Sequence, residues 1–423
     1  MTRSPTKSPS PADPGFLEAE VLIVGGGLVG STLAIALAQA GVDVVVIDTQ
    51  DPRAGLDAGF DGRASAIALA TKRMLDSLGV WPLLEAAPAP IKDIRVSEGE
   101  SLMFLHYDHR EVGDEPFGYM VENRYMRQAL QARIGQLERV DLVAPAQIER
   151  LEPRAWGVEA ALADGRQICV YLCVAADGRR SRTREEAGIR ATKWSYNQSG
   201  IVCTAVHKKS HEFTAHEHFL PAGPFAILPL NGETARHGHC SSIVWTERAD
   251  IAPAIMALDD AQFLGELVQR FGDFLGDVEV VGPRWCYPLG LQFAETSVAH
   301  RLALVGDASH SMHPVAGQGL NMGLRDVAAL AEVVLDARRL GLDIGSDAVL
   351  ERYQRWRRFD NTLMLAATDG LNRLFSNRIR PLRLARDFGL AAVNRVPPLK
   401  RTFMRQAMGL SGEMPRLMRG KIL

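Results

Sequence analysis

Val21-Leu22-Ile23-Val24-Gly25-Gly26-Gly27-Leu28-Val29-Gly30 is the stretch on which the reading of this chain turns. Four apolar residues, three of them β-branched, run straight into a G-x-G-x-x-G spacing at Gly25, Gly27 and Gly30. From Leu28 to Ala40 the composition shifts to Ala and Leu, which favours helix, and Gly41 stops it. Val42–Ile47 is a second β-branched run and ends on Asp48. The pattern is strand, tight turn, helix, strand: a βαβ unit of about 30 residues. Chemistry explains the spacing. The first glycine makes the turn, the second lets backbone approach a pyrophosphate, and the third lets helix and strand pack closely. The helix start then faces the phosphates with free N–H groups, and Asp48 is placed to take ribose hydroxyls. This much specifies a dinucleotide and leaves open which one.

Two later segments also run from a strand into an acid. Ala175-Ala176-Asp177-Gly178 follows an apolar run, with Ser181 and Arg184 close behind. Alone, Asp-Gly after a strand is a turn signal. Leu302-Ala303-Leu304-Val305-Gly306-Asp307-Ala308 is the third, followed by His310, His313, Pro314, Gly317, Gln318, Gly319, Leu320, Asn321 and Gly323. Asp307 at a strand end can accept hydrogen bonds from a sugar or ribityl chain. The glycines let backbone lie against a flat ring, and the helix expected from about Leu320 to Leu340 presents its positive end. His310 and His313 have no third ligand set beside them, so no metal is expected. His216 and His218 share a face of an expected strand and read as packing histidines.

Between these segments, Arg63 to Leu78 and Val121 to Leu137 read as helices. Val158–Leu162, the Asp164-Gly165 turn and Ile168–Ala176 read as a hairpin and strand. From Ile201 to Tyr287, short β-like runs such as Phe225–Leu230 and Ser241–Trp245 surround one helix, Asp260–Phe271. Residues 347–423 read as helical and basic.

Bulk properties narrow the function classes. A chain of 423 residues can hold two domains and a sizeable core. Its net charge of −2 gives no argument for nucleic acid. Five scattered cysteines without a C-x-x-C pair fit a reduced, cytosolic compartment. The Ser- and Pro-rich start has no apolar h-region and reads as a disordered lead-in. No uninterrupted apolar stretch approaches the ~18 residues of a spanning helix, so any membrane contact is expected at the surface. No catalytic triad, carboxylate pair or second G-x-G-x-x-G is evident.

Taken together, the three segments resemble the para-hydroxybenzoate hydroxylase class of flavin monooxygenases. Within that class the chain resembles the FAD-dependent hydroxylases of ubiquinone biosynthesis. The stretches that carry this are Asp61-Gly62-Arg63-Ala64, Val121-Glu122-Asn123 and Phe219-x-Pro221-x-Gly223-Pro224-x-Ala226-x-Leu228-Pro229-Leu230. Tyr287-Pro288-Leu289 and the run from Gly306 to Asn321 also match. Ala175-Ala176 and Ser309 depart slightly from the family pattern. The resemblance implies an α/β fold: a Rossmann-like FAD-binding domain, an inserted mainly-β substrate domain and a C-terminal helical region. The boundaries expected are 1–17 for the lead-in, 18–85, 110–192 and 285–360 for the FAD-binding domain, 86–109 and 193–284 for the β layer, and 361–423 for the C-terminal region.

It also implies roles. Gly25, Gly27 and Gly30 would hold the pyrophosphate and Asp48 the adenosine ribose. Arg63 would reach the phosphate or ribityl region, and Asn123 a polar edge of the flavin. By residue type alone, Arg63 reads as a helix-surface charge and Asn123 as a helix cap. Asp177 would serve FAD and nicotinamide binding, and Gly306 and Asp307 the ribityl chain. Gly317, Gln318, Gly319, Leu320 and Asn321 would meet the ring, with Pro314 and Gly317 nearest its reactive carbon. NAD(P)H and dioxygen would be co-substrates, a C4a-hydroperoxyflavin the oxygen donor, and a polyprenyl-phenol the acceptor. No side-chain base is assigned. The same fold also serves prenyl reductases and halogenases, but the W-x-W-x-I-P signature of flavin halogenases is absent. A non-catalytic assembly subunit is the remaining alternative.

The C-terminal stretch has its own signal. Between Leu371 and Leu423 stand twelve basic residues and two acidic ones, interleaved with Leu374, Phe375, Leu382, Phe388, Leu399, Phe403, Met404 and Met408. Basic amphipathic helices can lie on anionic lipid, and a polyprenyl substrate would reside there. A peripheral place on the inner membrane face, and assembly with other ubiquinone-biosynthesis proteins, are the partner expectations.

Overall fold

The computed structural model describes residues 16–51, 56, 62–84, 87–98, 104–231, 239–313, 317–375 and 395–423. Its centre is a six-stranded sheet in the order Val298–Ala299, Leu302–Leu304, Leu172–Ala175, Val21–Val24, Val44–Ile47, Val140–Val143. All neighbours are parallel except the first pair. Alternate side chains go to opposite faces, as the pleat requires. Val21, Ile23, Val44, Val46, Leu172 and Val174 pack with helices Leu28–Gln39 and Gln318–Arg339. Leu22, Val45, Cys173, Ala175 and Leu304 face a four-stranded sheet on the other side. Both faces are therefore dry, which is why these strands are continuously apolar in sequence. Each Leu or Ile sealed there contributes roughly 1.5–3 kcal/mol.

An eight-stranded sheet forms the second body among the described residues. Its core strands are Ala191–His207, Thr214–Leu220, Gly223–Leu230, His239–Arg248 and Val278–Ala294, with Asp93–Glu98 and Phe104–Asp108 at one edge. One face packs Ile201, Phe225 and Trp245 against Phe263, Leu267 and Phe271 of helix Asp260–Phe271. The other face gives Ala215, Leu228 and Leu230 to a cluster with Leu69, Met120 and Met404. That second cluster seats the sheet on the first body.

Several elements differ from their sequence expectation. Residues 63–78 do not form one helix: Ala64–Ala68 is a strand, and the helix is Leu69–Ser77. The alanine-rich strand is held by antiparallel pairing to Gly118–Glu122, a long-range contact that overrides local helix preference. For the same reason the helix expected from Val121 starts at Asn123. The run 168–176 is two strands in two different sheets, Gln167–Val170 and Leu172–Ala175. The chain changes sheet at Tyr171, where Glu20 O accepts from the amides of both Tyr171 and Leu172. Strand Val278–Ala294 and helix Asp347–Phe375 each run across an expected domain boundary.

Candidate functional site

Leu302–Leu304, Leu172–Ala175, Val21–Val24 and Val44–Ile47 lie side by side and parallel, with Leu304, Ala175, Val24 and Ile47 in register. Parallel neighbours end at the same edge, with strands ~4.8 Å apart. The segments after them, Gly306-Asp307, Ala176-Asp177, Gly25 to Gly30 and Asp48, therefore meet at one edge although spread over 283 residues of sequence. An open α/β sheet binds its ligands at this edge.

At the first loop, Gly26 N donates to Asp48 Oδ2 at 2.7 Å, and Gln50 N donates to Asp48 Oδ1 at 2.8 Å. The acid thus braces the glycine loop, with room left to accept hydroxyls at its two-oxygen edge. A Cβ at Gly30 would lie 1.9 Å from Gly25 O, and one at Gly25 would lie 2.4 Å from Ala176 O. Those two glycines are required by the protein itself. Gly27 differs: among the described residues nothing lies within 4 Å of a Cβ placed there. Gly27 also caps helix Leu28–Gln39 without a side-chain hydrogen bond, so the first-turn amides are free for an anion.

In the second loop, Asp177 Oδ2 accepts from Thr183 N at 3.1 Å, while Oδ1 is buried and accepts nothing from the described residues. A buried acceptor without a donor is costly unless a ligand supplies one. Buried Arg184 ties this loop to the third: its Nη1 donates to Ala308 O at 3.0 Å, and Ser181 Oγ caps its amide. The Asp307 side chain is open to solvent on one side and ringed by protein on the others. Burial pushes its pKa up, opposed by the charges of His310 and Arg179.

The end of the site expected to meet the ring is built on helix Gln318–Arg339. Its cap, Gly317, is left-handed at φ 61°, and a Cβ there would lie 2.8 Å from Ala66 Cβ. Asn321 spends its whole amide on structure: Nδ2 donates to Ala66 O and Gly317 O, and Oδ1 accepts from Ala68 N. It can offer a ring the placement of the helix's first turn, not a free side chain. Gln318 and Leu320 lie in that turn, and Gly319 borders open space. Asn123 Oδ1 accepts from Ser65 Oγ at 2.7 Å, fastening strand Ala64–Ala68 to its helix. Arg63 leaves the same strand, and its guanidinium lies 5.0 Å over the Trp285 ring. Pro314, expected nearest the reactive carbon, lies outside the described residues. His313 beside it is fully buried, edge-on to Tyr196, with both ring nitrogens unpartnered among the described residues. Burial holds its pKa down at about 4, so it is a neutral imidazole.

Some of the site was missed in the sequence. Asp326 sits inside helix Gln318–Arg339, fully buried, and accepts from Gly306 N, His310 and Arg357. Arg357 reaches on to Asp360 and Asn361. An acid and an arginine at otherwise apolar helix positions were the only available signal. Glu217 was not singled out in the sequence either. It belongs to strand Thr214–Leu220, on the face that looks toward the first body.

A narrow cleft of about 130 Å³ runs past Ala68, Gln318 and Asn321 to Phe359, Leu363 and Met364 near the surface. Among the described residues, no three His, Cys, Asp or Glu side chains converge as a metal set. The donors present fit a dinucleotide carrying a flat ring: helix-start amides could face its phosphates, Asp48 and Asp307 could take its two sugar portions, and Asp177 and His313 keep hydrogen-bonding atoms without a partner among the described residues.

Comparison with known proteins agrees. The FAD binding domain family matches residues 18–363. Ubiquinone hydroxylase UbiL of Rhodospirillum rubrum is 57% identical over 405 residues, covering 95% of this chain and 93% of that protein. The 3-demethoxyubiquinol 3-hydroxylase of Escherichia coli is 36% identical, covering 92% and 98%. The crystal structure of p-nitrophenol 4-monooxygenase PnpA from Pseudomonas putida superposes with a TM-score of 0.77 at 20% identity, covering 94% and 99%, and so shares the fold.

Proposed function

The chain belongs to the FAD-dependent hydroxylases of ubiquinone biosynthesis, and from that premise we propose that it inserts one oxygen atom into the ring of a polyprenyl-phenol. NAD(P)H and dioxygen are the co-substrates. Bound FAD supplies the redox chemistry, accepting hydride and activating oxygen, while protein supplies position, charge and dryness.

The observation that supports this best is the meeting of Asp48, Asp177 and Asp307 at one sheet edge, beside a glycine loop and under a separate β layer. In this reading Gly25, Gly27 and Gly30 cradle the pyrophosphate and Asp48 holds the adenosine ribose. Asp177 lies along the pyrophosphate, where its open Oδ1 accepts from the ligand. Gly306 and Asp307 hold the ribityl chain. Arg63 and Asn123 border the flavin, and the loop from Pro314 through Gly317 to Asn321 meets the ring. The first body carries the cofactor, and the eight-stranded sheet roofs the substrate.

The C-terminal helices fit a membrane surface. Phe359 and Leu363 stand exposed beside Arg355 and Arg358, and Leu399 and Phe403 beside Arg401 and Arg405. No helix of the described residues is long and apolar enough to cross a bilayer. A polyprenyl tail held in the bilayer would reach the ring end through the cleft at Phe359. Other ubiquinone-biosynthesis proteins are the partners this reading expects.

The deciding experiment follows NAD(P)H oxidation by the purified yellow protein with and without a prenylated phenol, and weighs the product. A gain of one oxygen atom supports the reading. Bound FAD with no stimulated oxidation and no product overturns it in favour of an assembly role.

A further inference from the structure

An aromatic ring attacks an electrophilic oxygen far faster as phenolate than as phenol, so a ring hydroxylase gains from a base beside the hydroxyl. We propose that Glu217 is that base, taking the phenolic proton from the substrate; the inference rests on the ring-hydroxylase reading.

The strand register assigns the face. Ala215 and Phe219 flank Glu217 at the two-residue spacing of one strand face. Ala215 packs with Met120, Leu228, Leu230 and Met404 in the cluster between the sheet and the first body. That cluster also holds Ala66, the residue against which Gly317 of the ring loop is seated. Across the sheet Glu217 pairs with Ala226 of strand Gly223–Leu230 and Val96 of strand Asp93–Glu98, both apolar. His216 and His218 point the other way, where they stack near Phe274. Glu217 is thus an acid placed in the layer between the sheet and the ring end.

Its surroundings suit a base. Among the described residues no cation pairs with Glu217 and no donor binds its carboxylate. Among the described residues, the acids near this layer include Glu98, across from Phe219, Glu122, ion-paired with Arg124, and Glu111, ion-paired with Lys400. None of them adds to the shift at Glu217: burial alone pushes its pKa up to about 7. The residue nevertheless keeps some solvent access. A carboxylate with no structural partner, half-ionised near neutrality, is poor as a structural element and well matched as a general base. In the step, the phenol O–H bond breaks, its electron pair stays on the phenol oxygen, and the proton forms an O–H bond on Glu217. The proton returns to water after turnover.

The test compares wild type, Glu217→Gln and Glu217→Asp holoenzymes with 2-prenylphenol. Wild type is expected to lose kcat/KM as pH falls through about 7. E217Q is expected to lose that limb, to fall roughly 10²-fold at neutral pH, and to recover toward the phenol's own pKa of ~10. E217D, still a carboxylate, should recover part of the rate with an acid limb. A readout without turnover uses bound 2-prenyl-4-nitrophenol. Beside an ionised Glu217 its phenolate colour should develop at higher pH than on E217Q. An unchanged pH profile and nitrophenol titration in E217Q, with wild type hydroxylating normally, would overturn Glu217 alone. Wild type that hydroxylates no prenylated phenol would overturn the function and this role together.

Discussion

His310 Nε2 lies 2.6 Å from Asp326 Oδ2, and neither side chain reaches solvent. The same oxygen accepts from Gly306 N at 3.1 Å, so one buried carboxylate fixes both ends of the Gly306–His310 turn. Burial alone would raise the Asp326 pKa, but the charges and hydrogen bonds of His310 and Arg357 outweigh it and hold it down at about 2. Asp307, the proposed ribityl ligand, sits on this turn. Its position is therefore set by a buried network beneath the turn.

Asp326→Asn keeps the shape and removes the charge. Arg357 then keeps its ion pair with Asp360 but loses its charged bond to Asp326, a loss of about 1.5–3 kcal/mol. Part should appear as a lower melting temperature and part as FAD affinity weakened at least about tenfold, or ~1.4 kcal/mol. Thermal melting of apoprotein and fluorescence titration with FAD separate the two. Unchanged FAD affinity in D326N would sink the coupling of this network to Asp307.

Gly30 and Gly27 should separate cleanly. Gly30→Ala forces a Cβ to within 1.9 Å of Gly25 O, so the strand–turn–helix must distort and folded yield should collapse. Gly27→Ala meets nothing within 4 Å among the described residues, and its φ of −69° suits alanine. The apoprotein should melt as wild type does, yet bind FAD at least about tenfold more weakly, because the methyl occupies the anion's approach. Flavin absorbance per mole of protein after gel filtration reads both. G27A with full flavin content would displace the pyrophosphate from this loop.

Membrane contact predicts a result that folding cannot mimic. Phe359 and Phe403 are 72% and 46% exposed, so Phe359→Glu and Phe403→Glu should leave the melting temperature within about a degree. Both changes should cut co-sedimentation with phosphatidylglycerol vesicles several-fold, and added salt should do the same for wild type, since each surface Arg near anionic lipid is worth ~1 kcal/mol. Equal retention of the double variant at low salt would remove this face from the membrane.

The cofactor edge was legible in sequence because its elements are local. An apolar run leads directly into the glycine loop at Gly25, and similar runs end within two residues of Asp48, Asp177 and Asp307. What was not legible depends on contacts between distant segments. Strand Ala64–Ala68 reads as helix until Gly118–Glu122 pairs with it. That the Asn321 amide is spent inside the protein could not be read before Ala66 and Ala68 were seen to claim it. Glu217 could not be given a face without the register that ties it to Ala226 and Val96.

The β layer should also make the protein acid-sensitive. Burial pushes the pKa of His207 down to about 4 and that of His216 to about 3, and it lowers His211 and His218 as well, from an ordinary 6.5. Positive neighbours add to this: His211 and His239 beside His207, and His218, Arg95 and His211 beside His216. His207 is satisfied as a neutral ring by Lys209 O and Ser241 Oγ. A group whose folded pKa lies below its unfolded one binds fewer protons when folded. Its contribution is full above 6.5 and is lost as pH falls from there toward the folded value, at ~1.4 kcal/mol per unit and group. The melting temperature should therefore hold between pH 8 and 7 and drop from about 6.5 to 4, the several histidines outweighing Glu217, whose raised pKa favours the fold as pH falls from 7. His216→Phe keeps a ring against Phe274, 4.7 Å away, and should flatten part of that drop. An equally steep acid limb in the variant would place the proton uptake elsewhere.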